Sequence, residues 1–309
     1  MRLDQIQESM LYSVYFAPRG KLRMLGIGNS IAQRHLLATD RLIGFVGDSG
    51  AGKSMLIKGM FPGLELTNDD EGVNIRPLPL LSRDDAGFFN SHTYHMDCRF
   101  EMAFTQAHVL ADAVRAALED EKRVIVEHFD LLYPALGMNA ELLIGVGEEI
   151  IVTRPGVFGP EPQGLAEIVM KSLPYRKMVH SAEDLTEHVM KNLFGVKQRY
   201  EHGDVRHGFL LEYDERPDVD LREVEREVKA LIARDVAISF LDENHILIDN
   251  EIRHRCTGPR LHVTSAREIL NFSLLPEFRY DAIKRKYYMV GLVGYEHPEM
   301  IHDFNQIGV

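Results

Sequence analysis

The stretch that decides the fold is GFVGDSGAGKSMLIKG, residues 44–59. Within it, Gly47-Asp48-Ser49-Gly50-Ala51-Gly52-Lys53-Ser54 matches the spacing G-x-x-x-x-G-K-[ST]. Glycines let a backbone curl so that successive N–H groups point at phosphate oxygens, and a helix that begins there adds the positive end of its dipole. Lys53 would reach the terminal phosphates, and Ser54 would place its hydroxyl on Mg²⁺. The pattern predicts a loop that binds ATP or GTP; the alternative is a glycine-rich turn that shares only the spacing.

The sequence around this loop predicts an α/β domain. RLIGFVG, residues 41–47, has the apolar character of a short buried strand. Alternation of such strands with amphipathic helices indicates a parallel sheet with helices on both faces, the fold class of the P-loop NTPases. Further strands are predicted in KRVIVEHFDLL and ELLIGVGEEIIVTRP, and helices in RFEMAFTQAHVLADAVRAALED, QGLAEIVMKSL and AEDLTEHVMKNLFG.

Length and composition limit the class of protein. The 309 residues suffice for two domains, and the 45% hydrophobic and 27% charged residues are ordinary for a globular chain. No apolar run approaches the roughly 18 residues of a membrane span, so we expect no membrane partner. A formal charge of −12 argues against general nucleic-acid binding. Two cysteines, with no secretory signal at the N-terminus, favour a cytoplasmic protein without disulfides.

The pattern of predicted helices and strands changes near residue 200. A charged amphipathic helix, LREVEREVKALIARD, precedes short strand-like segments, which indicates a separate and smaller α+β domain. We therefore expect an N-terminal lead-in over 1–40, with a helix over GNSIAQRHLLA, a nucleotide-binding domain over 41–199 and the α+β domain over 200–309. The predicted strands of the last domain are AISFLD, HILIDN, RLHVTS and KYYMVGLVG.

Acidic residues near the loop are candidates for catalysis. Asp69 and Asp70 follow LELT, and if Leu64–Thr67 is a strand beside the loop strand, they reach the edge of the sheet where ligands sit. There Asp69 would hold Mg²⁺, or either carboxylate would accept a proton from an attacking hydroxyl. The alternative is a solvated turn. Glu127 and His128 end the predicted strand KRVIVEH, where the acid would position a metal ion or a water. The alternative is a charged residue at a strand end with no functional role.

Other polar residues are weaker candidates. Arg99, Arg154 and Arg176 would neutralise a transferring phosphate if they lie near the loop, but arginines are commonly surface residues. The cluster His92-Thr93-Tyr94-His95-Met96-Asp97 is rich in metal-binding side chains, although two histidines three apart also occur without metal.

Residues 41–195 resemble P-loop kinases in the loop, the acids that follow it and the strand-terminal Glu127. GDSGAGKS followed by LTNDDEGV looks like the HPr kinase and phosphoenolpyruvate carboxykinase group, and the VIVEH strand is similar to that of uridine-kinase-type enzymes. The resemblance implies a Mg²⁺- and ATP-dependent phosphotransferase in which Lys53, Asp69, Asp70 and Glu127 carry the chemistry.

Residues 200–295 give a second resemblance. CTGPRLHVTSAREI, residues 256–269, looks like the C-G-G-T-H-V-x-x-T-G-E-I signature of the second additional domain of alanyl- and threonyl-tRNA synthetases. The whole chain resembles bacterial alanine-tRNA synthetase second additional domain-containing proteins. The resemblance implies an aminoacyl-tRNA editing domain, whose metal is held by an H-x-x-x-H and a C-x-x-x-H pair.

The chain departs from that metal-binding pattern. Five residues separate Cys256 from His262, four separate His202 from His207, and no H-x-x-x-H occurs. A Zn²⁺ site of these four residues requires that they lie on loops, because positions i and i+5 do not share a helix face. The alternative is that His202 and His207 are surface groups and Cys256 is a small buried hydrophobe.

Three functions follow from these patterns. The first is a phosphotransferase whose second domain selects an amino acid, an aminoacyl group or a tRNA end as acceptor. The second is a nucleotide-gated binding module with slow NTPase activity. The third is a zinc-dependent aminoacyl-tRNA hydrolase, against which the negative charge and the altered ligand spacing count.

Overall fold

A computed structural model describes residues 11–68, 75, 77–82 and 89–294. The chain divides into two compact units. Unit 1 comprises residues 1–17 and 22–172, and unit 2 comprises residues 18–21 and 173–309.

Unit 1 is built on a six-stranded mixed sheet with the order β1-β6-β5-β2-β4-β3. The four strands β5, β2, β4 and β3 are parallel, whereas β6 and β1 join antiparallel at one edge. The α/β class is confirmed, but the sheet is mostly rather than wholly parallel. The strands are β1 (Ser13–Phe16), β2 (Leu42–Val46), β3 (Thr93–Asp97), β4 (Arg123–Glu127), β5 (Leu142–Val146) and β6 (Glu149–Thr153).

The centre of this sheet is apolar because strands covered on both faces have no polar side to display. All five residues of β2 are buried, as are all five of β5. The helices assigned to this unit, in whole or in large part, are α1 (Lys21–His35), α2 (Lys53–Met60), α3 (Cys98–Glu101), α4 (Ala107–Glu119) and α5 (Phe129–Leu136).

Helices α1 and α2 approach each other through glycines. A Cβ atom on Gly28 would lie 2.5 Å from the Leu56 carbonyl oxygen, and one on Gly59 would lie 2.3 Å from the Leu25 carbonyl oxygen. Because real Cβ atoms do not make such contacts, no other residue fits either position without a backbone shift. The contact fixes α2, which begins at Lys53, against α1.

Several predicted elements differ in unit 1. The predicted lead-in contains β1, which pairs with β6, and a helix that begins at Lys21 and ends at His35 rather than covering 28–38. The helix predicted over 99–120 is interrupted by a turn between α3 and α4. The predicted strand Leu64–Thr67 does not form, and the neighbours of β2 are β4 and β5.

A 31-residue helix, α6 (Pro162–Asn192), replaces the two helices predicted there. Leu165, Ala166 and Val169 pack in the core of unit 1, whereas Leu185 and Val189 pack in the core of unit 2. The division between the units therefore falls at residues 172 and 173, within α6, and not near residue 200.

Unit 2 contains two antiparallel sheets and helix α7 (Leu221–Ala233). The first sheet has the order β11-β10-β9, and the second has the order β12-β14-β8-β7, with β13 beside β14. The predicted strand RLHVTS forms only one isolated bridge, between Ala237 and Ser265. The strands are β7 (Tyr200–Val205), β8 (Gly208–Tyr213), β9 (Ile238–Asp242), β10 (His245–Ile248), β11 (Ile252–Arg255), β12 (Ser273–Leu274), β13 (Arg279–Asp281) and β14 (Lys286–Leu292).

Within residues 11–68, 75, 77–82 and 89–294, none of the helices combines the length and apolar character needed to cross a bilayer.

Candidate functional site

The Gly47–Ser54 loop connects the carboxyl end of β2 to the amino end of α2. Gly47, Gly50 and Gly52 have φ angles of 134°, 77° and 97°, a region that side-chain-bearing residues rarely adopt. At Gly47, a Cβ atom would also lie 2.4 Å from the Val146 carbonyl oxygen of β5. The loop's curled backbone therefore depends on glycine at these positions.

Lys53 is the first residue of α2, and its side chain is buried under the loop. Its ammonium donates hydrogen bonds to the carbonyl oxygens of Gly47 at 3.1 Å and Asp48 at 2.9 Å. It also lies 3.8 Å from Glu127 Oε2. Burial lowers the pKa of Lys53, while the negative charge of Glu127 works in the opposite direction. Lys53 thus presents a partly desolvated positive charge to the interior of the loop.

Glu127 ends β4, the strand next to β2, and is the residue on which the polar side chains of the site converge. Its Oε1 accepts hydrogen bonds from Ser54 Oγ at 2.9 Å and from the His95 ring at 3.2 Å. Burial acts to raise the pKa of Glu127, but His95, Lys53 and Ser54 outweigh burial and hold the pKa below its usual value. Glu127 is therefore an ionised carboxylate held between a hydroxyl and an ammonium group.

His95 links Glu127 to the segment that follows α2. The backbone N–H of Thr67 donates to His95 Nδ1 at 3.1 Å, so Nδ1 carries no proton. The proton of the neutral ring then lies on Nε2, which donates it to Glu127 Oε1. Both His95 and Thr67 are buried. The arrangement fixes the orientation of the Glu127 carboxylate.

A second acid lies at the same edge of the sheet. Asp97 ends β3 directly beside Glu127 in the parallel register. Its Oδ2 accepts a hydrogen bond from the Asn68 amide at 3.0 Å, and its Oδ1 caps α3 by accepting from the Phe100 N–H at 3.1 Å. The carboxyl ends of neighbouring parallel strands therefore bring two carboxylates to one place, as open α/β sheets do at their ligand sites.

These groups surround a cavity of about 130 Å³. Arg99 lies at its exposed rim, where it donates to Ser49 Oγ at 3.0 Å and lies 3.5 Å from the Asp48 carboxylate. The lining is mainly polar and includes Ser49, Gly52, Lys53, Ser54, Asp97 and Glu127.

His128 also lines the cavity and has an unusual backbone conformation. Its φ of 55° lies in the left-handed region, and it immediately precedes α5. Burial, followed by the nearby charge of Lys53, lowers the pKa of His128 to about 4. His128 is thus neutral at physiological pH, and its strained backbone is of the kind that occurs at functional sites.

The structure brings some of the sequence-predicted residues together and not others. Lys53, Ser54 and Glu127 are in contact with one another, and the loop residues surround the cavity with them. Asp69 and Asp70 lie outside the described residues. Of the three candidate arginines, only Arg99 reaches the loop; Arg154 forms an ion pair with Asp40 at 2.7 Å, and Arg176 is buried in unit 2 near Pro18.

Sequence reasoning assigned no role at the loop to Asn68 or Asp97, and it placed both His95 and Asp97 in a candidate metal cluster, residues 92–97. Residues 92–97 do not form such a cluster within the described part of the chain. Instead, His95 is turned to Glu127, and Asp97 faces the cavity. The available signal was the acid at the end of the strand TYHMD, which matches the position of Glu127 at the end of RVIVE.

In unit 2, the four residues predicted to bind Zn²⁺ are separated into different environments. Cys256 and His262 are neighbours, with Sγ and Nε2 3.7 Å apart, whereas His202 bonds to Glu183 at 2.7 Å. His207 stacks on Tyr175 with ring centroids 3.8 Å apart, and it belongs to no metal-binding group among the described residues. The acids of α6, which the sequence did not single out, accompany Cys256, His262 and His202 instead.

Comparison of the chain with protein-family models and with curated proteins found no match. The chemistry of the site in unit 1 is therefore inferred from the geometry described above.

Proposed function

We propose that unit 1 is a P-loop nucleotide-binding domain that binds ATP or GTP with Mg²⁺ and transfers the terminal phosphoryl group to an acceptor. The observation that carries the proposal is the convergence of Lys53 and Ser54 on Glu127 at the floor of a loop-lined cavity. A lysine, a hydroxyl and a strand-end acid are the parts that such domains use.

The residues present fit a nucleotide's phosphates. The three glycines with positive φ curl the loop, which favours inward-pointing N–H groups, and α2 adds the positive end of its dipole. The Lys53 ammonium now bonds to two carbonyl oxygens of its own loop, and phosphate oxygens would replace these as stronger, charged acceptors. Arg99 at the rim supplies a second positive charge.

The residues also fit a divalent cation beside those phosphates. Ser54 and Glu127 would hold Mg²⁺, which when bound neutralises the charge on the transferring phosphoryl group. His95 keeps the Glu127 carboxylate oriented through its Nε2–H. Asp97, on the neighbouring strand, is the acid best placed among the described residues to accept a proton from an acceptor hydroxyl, the role predicted for Asp69 or Asp70.

The acceptor is assigned to unit 2. On this proposal, unit 2 selects an amino acid, an aminoacyl group or a tRNA end, as its resemblance to the synthetase second additional domain implies. The acidic net charge favours a small acceptor or a local contact over general binding to nucleic acid.

Calorimetric titration of the full chain with Mg·ATP and Mg·GTP tests the nucleotide site. Lys53→Ala should abolish detectable binding, because it removes the buried ammonium on which the phosphates depend. Lys171→Ala is the matched control, since Lys171 is an exposed lysine of α6 in the same unit and should leave binding unchanged. Undiminished affinity in Lys53→Ala would refute the role of the loop.

Product analysis separates the candidate activities. ADP or GDP formation that rises when an amino acid or tRNA is added supports the phosphotransferase. Slow hydrolysis that no acceptor alters supports the nucleotide-gated module instead. Either result is read only on chain that binds nucleotide, so failure of the acceptor assignment is distinguishable from failure of the nucleotide site.

A further inference from the structure

Helix α6 carries three buried acids in unit 2: Glu183, Asp184 and Glu187. An ionised carboxylate removed from water is costly unless a positive charge or a metal ion compensates it. The partners of these three acids therefore show which of them are satisfied by the protein itself.

Arg19 compensates one end of the group. Its buried guanidinium donates to Glu183 Oε2 at 2.6 Å and forms a short hydrogen bond with Asp184 Oδ1. It also donates to Cys256 Sγ at 3.0 Å. The guanidinium thus occupies the place beside the Cys256 sulfur where a metal ion would need to bind.

The histidines at this end are also engaged. His262 Nε2 lies 2.7 Å from Asp184 Oδ2, and His202 Nδ1 lies 2.7 Å from Glu183 Oε1. Ring nitrogens bonded to carboxylates at this distance are satisfied without a metal ion. Hydrogen bonds within the protein therefore close the group of Asp184, Cys256 and His262 and the group of Glu183 and His202.

The other end of the group is not closed in this way. Glu187 Oε1 and His254 Nε2 are buried and have no hydrogen-bond partner. His254 Nε2 lies 3.8 Å from Asp184 Oδ1 and 3.8 Å from Glu187 Oε2, beyond hydrogen-bond reach of both. Asp184 and Glu187 are three residues apart and so share one face of α6. His254 Nε2 therefore faces two carboxylate oxygens without bonding to either, although Asp184 Oδ1 also accepts from Arg19 and Glu187 Oε2 is reached by Lys191.

Their spacing fits a bound cation. A first-row metal ion binds carboxylate oxygen and imidazole nitrogen at roughly 2.0–2.2 Å, so two ligands 3.8 Å apart subtend an angle of about 130° at the ion. The three ligand atoms all lie within 4.8 Å of one another.

The charges of these buried side chains also favour a bound cation. Three buried carboxylates share one buried guanidinium, that of Arg19, and the partly buried ring of His202 beside Glu183. Lys191 reaches Glu187 Oε2 at 3.5 Å but is half exposed, so it compensates Glu187 only partly.

We propose that Asp184, Glu187 and His254 bind one divalent transition-metal ion of the Zn²⁺ class, and that Arg19 excludes the ion from Cys256. Two carboxylate oxygens and one imidazole nitrogen suit Zn²⁺ or Mn²⁺ better than a site built on sulfur. This ligand set shares no residue with the four predicted from the sequence, and all three of its residues belong to unit 2.

Titration of the full-length, metal-free chain with Co²⁺, a spectroscopic substitute for Zn²⁺, tests the proposal without any substitution. We expect one ion per chain and visible ligand-field bands without a sulfur-to-cobalt charge-transfer band. A charge-transfer band would place the ion on Cys256 and overturn the proposal, and so would the absence of stoichiometric binding of Co²⁺, Zn²⁺ and Mn²⁺ alike.

Substitutions then locate the ligands. Glu187→Gln and His254→Gln should each weaken Zn²⁺ binding at least about 100-fold, since even the loss of an outer-shell partner costs about 10–100-fold. Cys256→Ser should leave affinity unchanged. His245→Gln is the matched control, because His245 lies on the neighbouring strand β10 and pairs with Asp242. Metal-free melting curves verify that each variant folds; a folded Glu187→Gln and a folded His254→Gln with normal affinity would refute the site.

Discussion

Replacing Glu127 by glutamine tests the electrostatics of the proposed nucleotide site. Glutamine keeps the shape and can still accept the hydrogen bonds from Ser54 and His95, but it removes the charge 3.8 Å from the Lys53 ammonium. At an effective dielectric constant of about 20, two unit charges at that distance attract by about 4 kcal/mol. The two carbonyl acceptors of Lys53 remain, so we expect Glu127→Gln to lower the free energy of unfolding by about 3 kcal/mol at pH 7.

The effect should depend on pH in a defined direction. The folded-state pKa of Glu127 lies below its ordinary value of 4.5, so its ionised form contributes stability above that pH. This contribution is lost as the pH falls through the folded-state pKa, because the wild-type carboxylate is then protonated as well. Urea denaturation followed by circular dichroism, repeated between pH 7 and pH 3, should show the two proteins converging in stability below pH 4.5.

An exposed acid provides the control. Glu119→Gln, at the end of α4, should change stability by less than about 0.5 kcal/mol at every pH. Equal stability of Glu127→Gln and the wild type at pH 7, or a difference that stays constant down to pH 3, would show that the Lys53–Glu127 pair does not carry the charge balance described.

Two further predictions concern the framework of the site. Gly28→Ala should destabilise unit 1 by at least about 2 kcal/mol, because the new Cβ atom meets the Leu56 carbonyl oxygen. Gly26→Ala, on the same helix, places its Cβ atom in open space and should stabilise unit 1 by about 0.5–1 kcal/mol. Equal urea midpoints for the two variants would contradict the helix contact. The pKa of His128 falls from 6.5 to about 4 on folding, so between these pH values only the unfolded chain binds a proton at this residue. Acidification through this range should therefore lower the free energy of unfolding of the wild type by about 2 kcal/mol relative to that of His128→Asn. Asparagine tolerates the left-handed backbone, and parallel pH curves for the two proteins would refute the assignment.

The sequence predicted those parts of the fold and site that depend only on residues close together in the chain. The glycine spacing, the apolar strand before it and the helix after it are contiguous, so the loop and β2 could be placed within one or two residues. Glu127 could be identified because an acid at the carboxyl end of an apolar strand reaches the edge of a parallel sheet.

The rest depends on contacts between distant parts of the chain. His95 and Glu127 are 32 residues apart, and no local pattern indicates that one ring bonds to that carboxylate. Arg19 and Asp184 are 165 residues apart, so the sequence could suggest Cys256 and His262 as ligands without showing that a guanidinium already lies beside the sulfur. The division within α6 was missed because both halves of a continuous amphipathic helix have the same local periodicity while packing in different cores.

The length of helix α6 has a consequence for dissecting the protein. A fragment ending at residue 199 would retain Leu185 and Val189 but lose most of the core that covers them, and a fragment beginning at residue 200 would lack those side chains and Arg19. Both pieces would expose apolar surface and be prone to aggregate. Because Pro18–Lys21 also belongs to the second unit, no single cut yields two complete halves, and the two proposed sites are better tested by point substitutions than by truncation.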